Sequence, residues 1–131
     1  MQKKQVNKNY MSRLLKSFKW ALHGLKFCIV KEKNFQLHCV AAVATVGAGF
    51  FLHLTSAEWM VVIICIALVL AFEMINTAIE HLCNIIQPAI HPSVKIIKDV
   101  SAGAVFLITI MAAVCGAIIF IPKIISYFST K

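Results

Sequence analysis

Glu73, Asn76, Thr77 and Glu80 stand at i, i+3, i+4 and i+7 of one apolar segment. On a helix that spacing puts all four on one face. The fourteen residues ahead of them, Trp59 to Phe72, carry no charge, and the whole chain has only five acids. Ionisable side chains in or at the end of a membrane helix are costly and mark functional sites. Carboxylates are hard oxygen ligands suited to Mg²⁺, which is bound through one or two such groups together with substrate phosphates. A separate carboxylate at the hydrocarbon edge can take a proton from a lipid hydroxyl, and neighbouring Lys and Arg can hold phosphate charge. These parts together describe phosphoryl transfer to a membrane lipid.

The elements that must position such a face follow from composition. The chain has 131 residues, 60% of them hydrophobic, and a mean hydropathy of +0.85. That is too apolar for an ordinary soluble domain and too short for more than one domain. The expected fold is an all-α integral membrane protein: a single membrane domain over 1–131, with a disordered polar tail at 1–11. Residues 12–33 read as an amphipathic surface helix. Arg13, Lys16, Trp20, His23 and Lys26 lie on its polar side, and Leu14, Phe18, Ala21, Leu22, Leu25 and Ile29 on its apolar side. Three transmembrane helices are expected at 35–54, 57–86 and 100–121, the last ending before Pro122. Gly47 and Gly49 in the first span, and Ser101, Ala102 and Gly103 in the third, offer small surfaces for close packing. Pro88 and Pro92 make 87–98 a turn.

Charge sets the orientation. Of thirteen Lys and Arg, nine lie in residues 1–35, none in 54–57, two in 87–99 and two after 121. The positive-inside rule then makes the N-terminus and the 87–99 connection cytoplasmic. Glu73 falls about 24 Å along its helix from Ala57, and Glu80 about 10 Å further. Glu32, Glu73, Glu80 and Asp99 gather at that inner boundary, with Lys95 and Lys98 beside Asp99, and Glu58 lies on the outer side. A net charge of +8 suits lipid headgroups first and nucleotide phosphate second. No nucleic-acid-binding pattern accompanies it. The five cysteines are odd in number and without a C-x-x-C pair, which reads as reduced, buried thiols. No secretory signal or lipidation motif is read. No P-loop, G-x-G-x-x-G or protein-kinase loop occurs, so ATP would bind without one.

Position alone leaves other readings open. Glu80 equally describes a solvated helix end, Asn76 interhelical glue, and Asp99 an acid favoured at a helix start. Lys95 and Lys98 fit headgroup-facing lysines, and His38 and His53 fit packed histidines at opposite ends of the first span. His81 beside Cys83 lacks zinc spacing. A proton-coupled transporter would also use a membrane-embedded Glu, but it would want acids near the bilayer centre. A non-catalytic membrane subunit is a third possibility.

The stretch FEMINTAIEHLCNII followed by HPSVKIIKDVSAGAV, with the basic RLLKSFKWALHGLKFCIVKEKNF before it, resembles the prokaryotic diacylglycerol kinase family, which includes undecaprenol kinases. The likeness covers about residues 12–121. It implies a homotrimeric membrane kinase with one surface helix and three transmembrane helices per chain, phosphorylating a lipid alcohol with Mg-ATP. By resemblance Glu73 is the catalytic base, and Glu32 and Glu80 hold Mg²⁺. Asn76, Lys98 and Asp99 are polar site positions, with Lys98 on phosphate and Asp99 on nucleotide, and Arg13 and Lys16 lie near the nucleotide. Sites in the family are shared between neighbouring subunits. Asn84 departs from the Asp of many relatives, which weakens position 84 as a metal ligand. His38 stands where the enterobacterial diacylglycerol branch has an acid. The HP and K-I-x-K-D features look more like the undecaprenol kinase branch, so undecaprenol is the expected acceptor and diacylglycerol the alternative. The expected location is the bacterial inner membrane, with the site facing the cytoplasm.

Overall fold

A computed structural model describes residues 2–87 and 91–129, with side chains described from residue 11 onward. Four helices account for nearly all of them: α1 (Gln2–Lys31), α2 (Lys33–Phe51), α3 (Ser56–Ile86) and α4 (Pro92–Ser129). The chain divides into two compact units, residues 1–32 and 33–131.

In the first unit, α1 begins ten residues before the expected start at 12. Residues 2–11 contain neither Pro nor Gly, so nothing in them breaks the helix. Arg13 and Lys16 are exposed on this helix, as are Leu15, Phe18 and Leu22. Polar and apolar side chains of α1 are thus both exposed, whereas an amphipathic helix works with its apolar stripe covered.

In the second unit, α2, α3 and α4 are each long and apolar enough to cross a membrane. α3 packs against both of the others, more extensively on α4. Val62, Val69, Glu73, Asn76, Thr77 and Cys83 are its buried residues. Ser101 and Val105, one turn apart, are those of α4. Most of the remaining Ile, Val, Leu and Phe side chains face outward. A soluble protein would bury them, but a bilayer needs no such covering.

The α2–α3 connection is built from two linked caps. His53 has φ 52°. Leu54 N–H donates to Gly49 O (3.1 Å) and His53 N–H to Phe50 O (3.3 Å). This is a Schellman motif with His53 at the left-handed position that Gly ordinarily takes. Thr55 then caps α3 in a capping box with Glu58. A Cβ on Gly49 would stand 2.8 Å from the Trp59 ring, so this glycine is required by a close approach. The ring of Phe50 lies 4.8 Å from that of Trp59.

α4 differs most from expectation. It starts at Pro92 rather than 100 and continues through Pro122 to Ser129. Pro at the first helical position loses only an N–H that has no helical partner there. Of the turn expected at 87–98, Pro88–Ile90 lie outside the described residues, and the helix takes over from Pro92. At Pro122 the missing donor costs one helical bond, which membrane helices tolerate. The turns beyond it have contacts of their own. Lys123 Nζ is 3.1 Å from Glu58 Oε2, and the Tyr127 ring is 5.3 Å from Phe51.

Candidate functional site

Among the described residues the buried polar side chains are Glu73 (3% exposed), Asn76, Thr77 and Ser101. Three of the four are the i, i+3, i+4 face read from the sequence, and the fourth meets them from α4. Burying such groups is unfavourable unless they are hydrogen-bonded. Ser101 Oγ donates to Asn76 Oδ1 at 2.7 Å, which ties α3 to α4 at the level of this face. The same hydroxyl lies 2.9 Å from the carbonyl of Lys98. Lys98 Nζ in turn donates to Asn84 Oδ1 at 2.6 Å.

The site is therefore graded along α3. Glu73 is closed off and Glu80, two turns on, is half-buried, while Asn84 is exposed. Across from them on α4, Lys98 is half-buried and Asp99 exposed. In the second unit, Asn76 and Asn84 of α3 thus meet Ser101 and Lys98 of α4, while Glu73 and Glu80 share the α3 face with Asn76 and Asp99 follows Lys98 with an exposed side chain. Arg13, Lys16 and Glu32 belong to the first unit. There Glu32 is half-buried just past the end of α1, its N–H bonded to Cys28 O at 3.1 Å.

Ser101 and Asn84 are the residues that sequence reasoning undervalued. Ser101 counted only as a small packing residue and Asn84 only as a departure from Asp. The available signal was a hydroxyl one turn after the lysine of a Lys-Asp pair.

Among the described residues no three His, Cys, Asp or Glu side chains cluster as a metal-binding group. Mg²⁺ on a nucleotide needs no such cage, because one or two carboxylates and the phosphates suffice. Glu80, half-buried and open on one side, fits that donor chemistry.

A cavity of about 260 Å³ lies between α2, α3 and α4. On α3 it runs from Val61 to Leu70, ending one turn short of Glu73, and its lining is largely apolar. The Thr109 hydroxyl on its wall is buried without a hydrogen-bond partner.

The architecture is that of a small α-helical membrane protein whose polar groups collect along one helix–helix seam. A sequence model of the prokaryotic diacylglycerol kinase family matches residues 19–120. The chain is 37% identical over 118 residues to an undecaprenol kinase of Bacillus subtilis (strain 168), covering 90% of this chain and 96% of that one. It is 33% identical to a diacylglycerol kinase of Synechocystis sp., covering 95% and 73%. It is 32% identical to a diacylglycerol kinase of Haemophilus influenzae, covering 84% and 94%. The chain belongs to the prokaryotic diacylglycerol kinase family.

Proposed function

We propose that this protein is an ATP-dependent lipid kinase that transfers the γ-phosphate of Mg-ATP to undecaprenol. Its two units would work as one kinase domain, and the observation that carries the reading is Glu73. A carboxylate only 3% exposed sits where an apolar helix gives way to polar residues, sharing its face with Asn76 and Glu80. A base there meets a lipid hydroxyl where water is scarce and competing hydrolysis is suppressed. In the proposed reaction Glu73 takes the hydroxyl proton as the lipid oxygen attacks the γ-phosphorus and the bond to ADP breaks. Lys98 would hold phosphate charge, with Asp99, Arg13 and Lys16 toward the nucleotide. Glu80 and Glu32 are the carboxylates that would hold Mg²⁺, which neutralises charge on the β- and γ-phosphates. The apolar cavity that ends one turn from Glu73 suits the hydrocarbon part of the acceptor.

Undecaprenol is favoured by the B. subtilis relative, whose length this chain matches almost fully. Diacylglycerol is the alternative, on the names of two other relatives. The inner bacterial membrane, a cytoplasmic site and a homotrimer complete the proposal. The lysine and arginine distribution supports the orientation, and the family resemblance supports the trimer. A transporter reading would give Lys98 and Asp99 no task.

Purified protein with labelled ATP and Mg²⁺, supplied with undecaprenol, diacylglycerol or no lipid, tests this directly. Labelled undecaprenyl phosphate is the expected product. Phosphatidic acid alone would move the acceptor to diacylglycerol, and no lipid product in any arm would sink the kinase reading.

A further inference from the structure

Lys98 sits on α4, and a lysine side chain has a flexible four-carbon stem with which to wander. One hydrogen bond holds its Nζ, and two more, both from Ser101, link the Lys98 turn to α3. From below, the Lys98 carbonyl is reached by Ser101 Oγ at 2.9 Å. That hydroxyl also reaches across the helix boundary to Asn76 Oδ1 at 2.7 Å, inside the protein. From above, Lys98 Nζ is anchored on Asn84 Oδ1 at 2.6 Å. Asn76 and Asn84 both belong to α3, two turns apart. The bonds therefore close a loop: α3 to Ser101, Ser101 to the Lys98 backbone, and the Lys98 side chain back to α3.

We propose that Ser101 is a positioning residue of the kinase, holding the Lys98 turn of α4 and the Asn76 amide of α3 in a single array. The inference rests on the lipid-kinase reading and deepens it. Two consequences follow from the chemistry of the groups. A serine hydroxyl has one proton, so it serves its two acceptors as a shared, three-centre contact, and both are lost together when it is removed. Because Asn76 Oδ1 is engaged by Ser101, Asn76 keeps its Nδ2 donors for other partners. Those Nδ2 donors can then reach a phosphate or hydroxyl oxygen of a substrate.

The burial of Ser101, 9% exposed, keeps water from replacing the lost hydroxyl. An alanine at 101 would leave the Asn76 oxygen without this partner and remove the tie between the Lys98 turn and α3, while changing little in volume.

The test compares S101A and S101T with the full-length wild-type protein in detergent or bilayer. It reads KM for ATP and kcat at saturating lipid, alongside a thermal melt. S101A is expected to raise KM for ATP about five- to tenfold, the scale of one buried hydrogen bond. S101T, which keeps the hydroxyl, is expected to stay within about twofold of wild type. In a K98M background the S101A change should add little, because residues acting through one another are non-additive. Should S101A fail to fold, S101C, close in volume and only a weak donor, takes its place. An unchanged KM in S101A, a loss in S101T equal to that in S101A, or full additivity with K98M would each overturn the proposal. A wild-type protein that phosphorylates no lipid would instead sink the kinase reading, so the two failures are distinguishable.

Discussion

Glu58 and Lys98 stand near opposite ends of the α3–α4 pair, and they are partnered by opposite rules. Glu58 Oε2 accepts from Thr55 N–H at 2.7 Å and from Thr55 Oγ1 at 2.8 Å. It also meets Lys123 Nζ at 3.1 Å. There an acid has a cation and a cap, and those contacts serve to fasten the α2–α3 turn and the end of α4. At the other end the lysine is held by the neutral amide of Asn84, and the buried polar contact is amide to hydroxyl. A cation oriented by an amide keeps its full charge, whereas one paired with a carboxylate has it neutralised. The carboxylate pairing fits a structural corner, and the amide partner fits a site that must receive phosphate.

The comparison breaks most visibly at Glu73. If the Asn84 end is the reacting end, Glu73→Gln should cut turnover by about 10²- to 10⁴-fold, the range of a general base. Nucleotide binding should persist, as measured by equilibrium titration. Full activity in that variant would remove Glu73 from the base role. Glu80→Gln should act on the metal instead. We expect the Mg²⁺ concentration for half-maximal rate to rise about tenfold or more, the scale on which even indirect metal partners act. An unchanged Mg²⁺ titration would count against Glu80 as a ligand.

A smaller effect tests the partnering rule itself. Asn84→Asp makes the site end resemble the Glu58 end by giving Lys98 a carboxylate. KM for ATP should rise a few-fold, on the order of what partial neutralisation of one phosphate contact costs, and kcat should move less. If KM falls instead, the neutral partner has no bearing on phosphate binding.

Much of this was legible in the sequence because the burial pattern is helical. Glu73, Asn76 and Thr77 were placed on one face by spacing alone, and that face is the buried one. The three long helices were visible as apolar runs. The ends of α4 were not. Pro122 reads locally as a stop, and only the contacts of Lys123 and Tyr127 with the α2–α3 corner show why the helix continues. Such contacts join residues about 65 positions or more apart, and no periodicity carries them. The Thr55–Glu58 capping box, by contrast, was present as T-S-A-E but gave way to a reading of Glu58 as merely the acid on the wrong side. Ser101 was read by its size. Its role depends on α4 facing Asn76, a pairing between helices that a one-dimensional pattern does not encode.

The least expected effect lies at His53, in the corner that we regard as purely structural. Its φ of 52° places an L-residue in the left-handed region, where a side chain costs about 1–2 kcal/mol relative to glycine. His53→Gly removes that strain. It also loosens the unfolded chain, which takes back about 0.4–1 kcal/mol. The net should be a gain of about 0.5–1 kcal/mol in stability, seen as a slightly raised melting temperature, with KM and kcat unchanged. His53 is exposed, so little packing is lost against that gain. A variant that melted lower would mean that the imidazole holds the corner through contacts stronger than the strain. A variant that melted higher but lost activity would break the division drawn between the two ends of the bundle. In that case the corner at Glu58 would be felt at Glu73, across the length of α3.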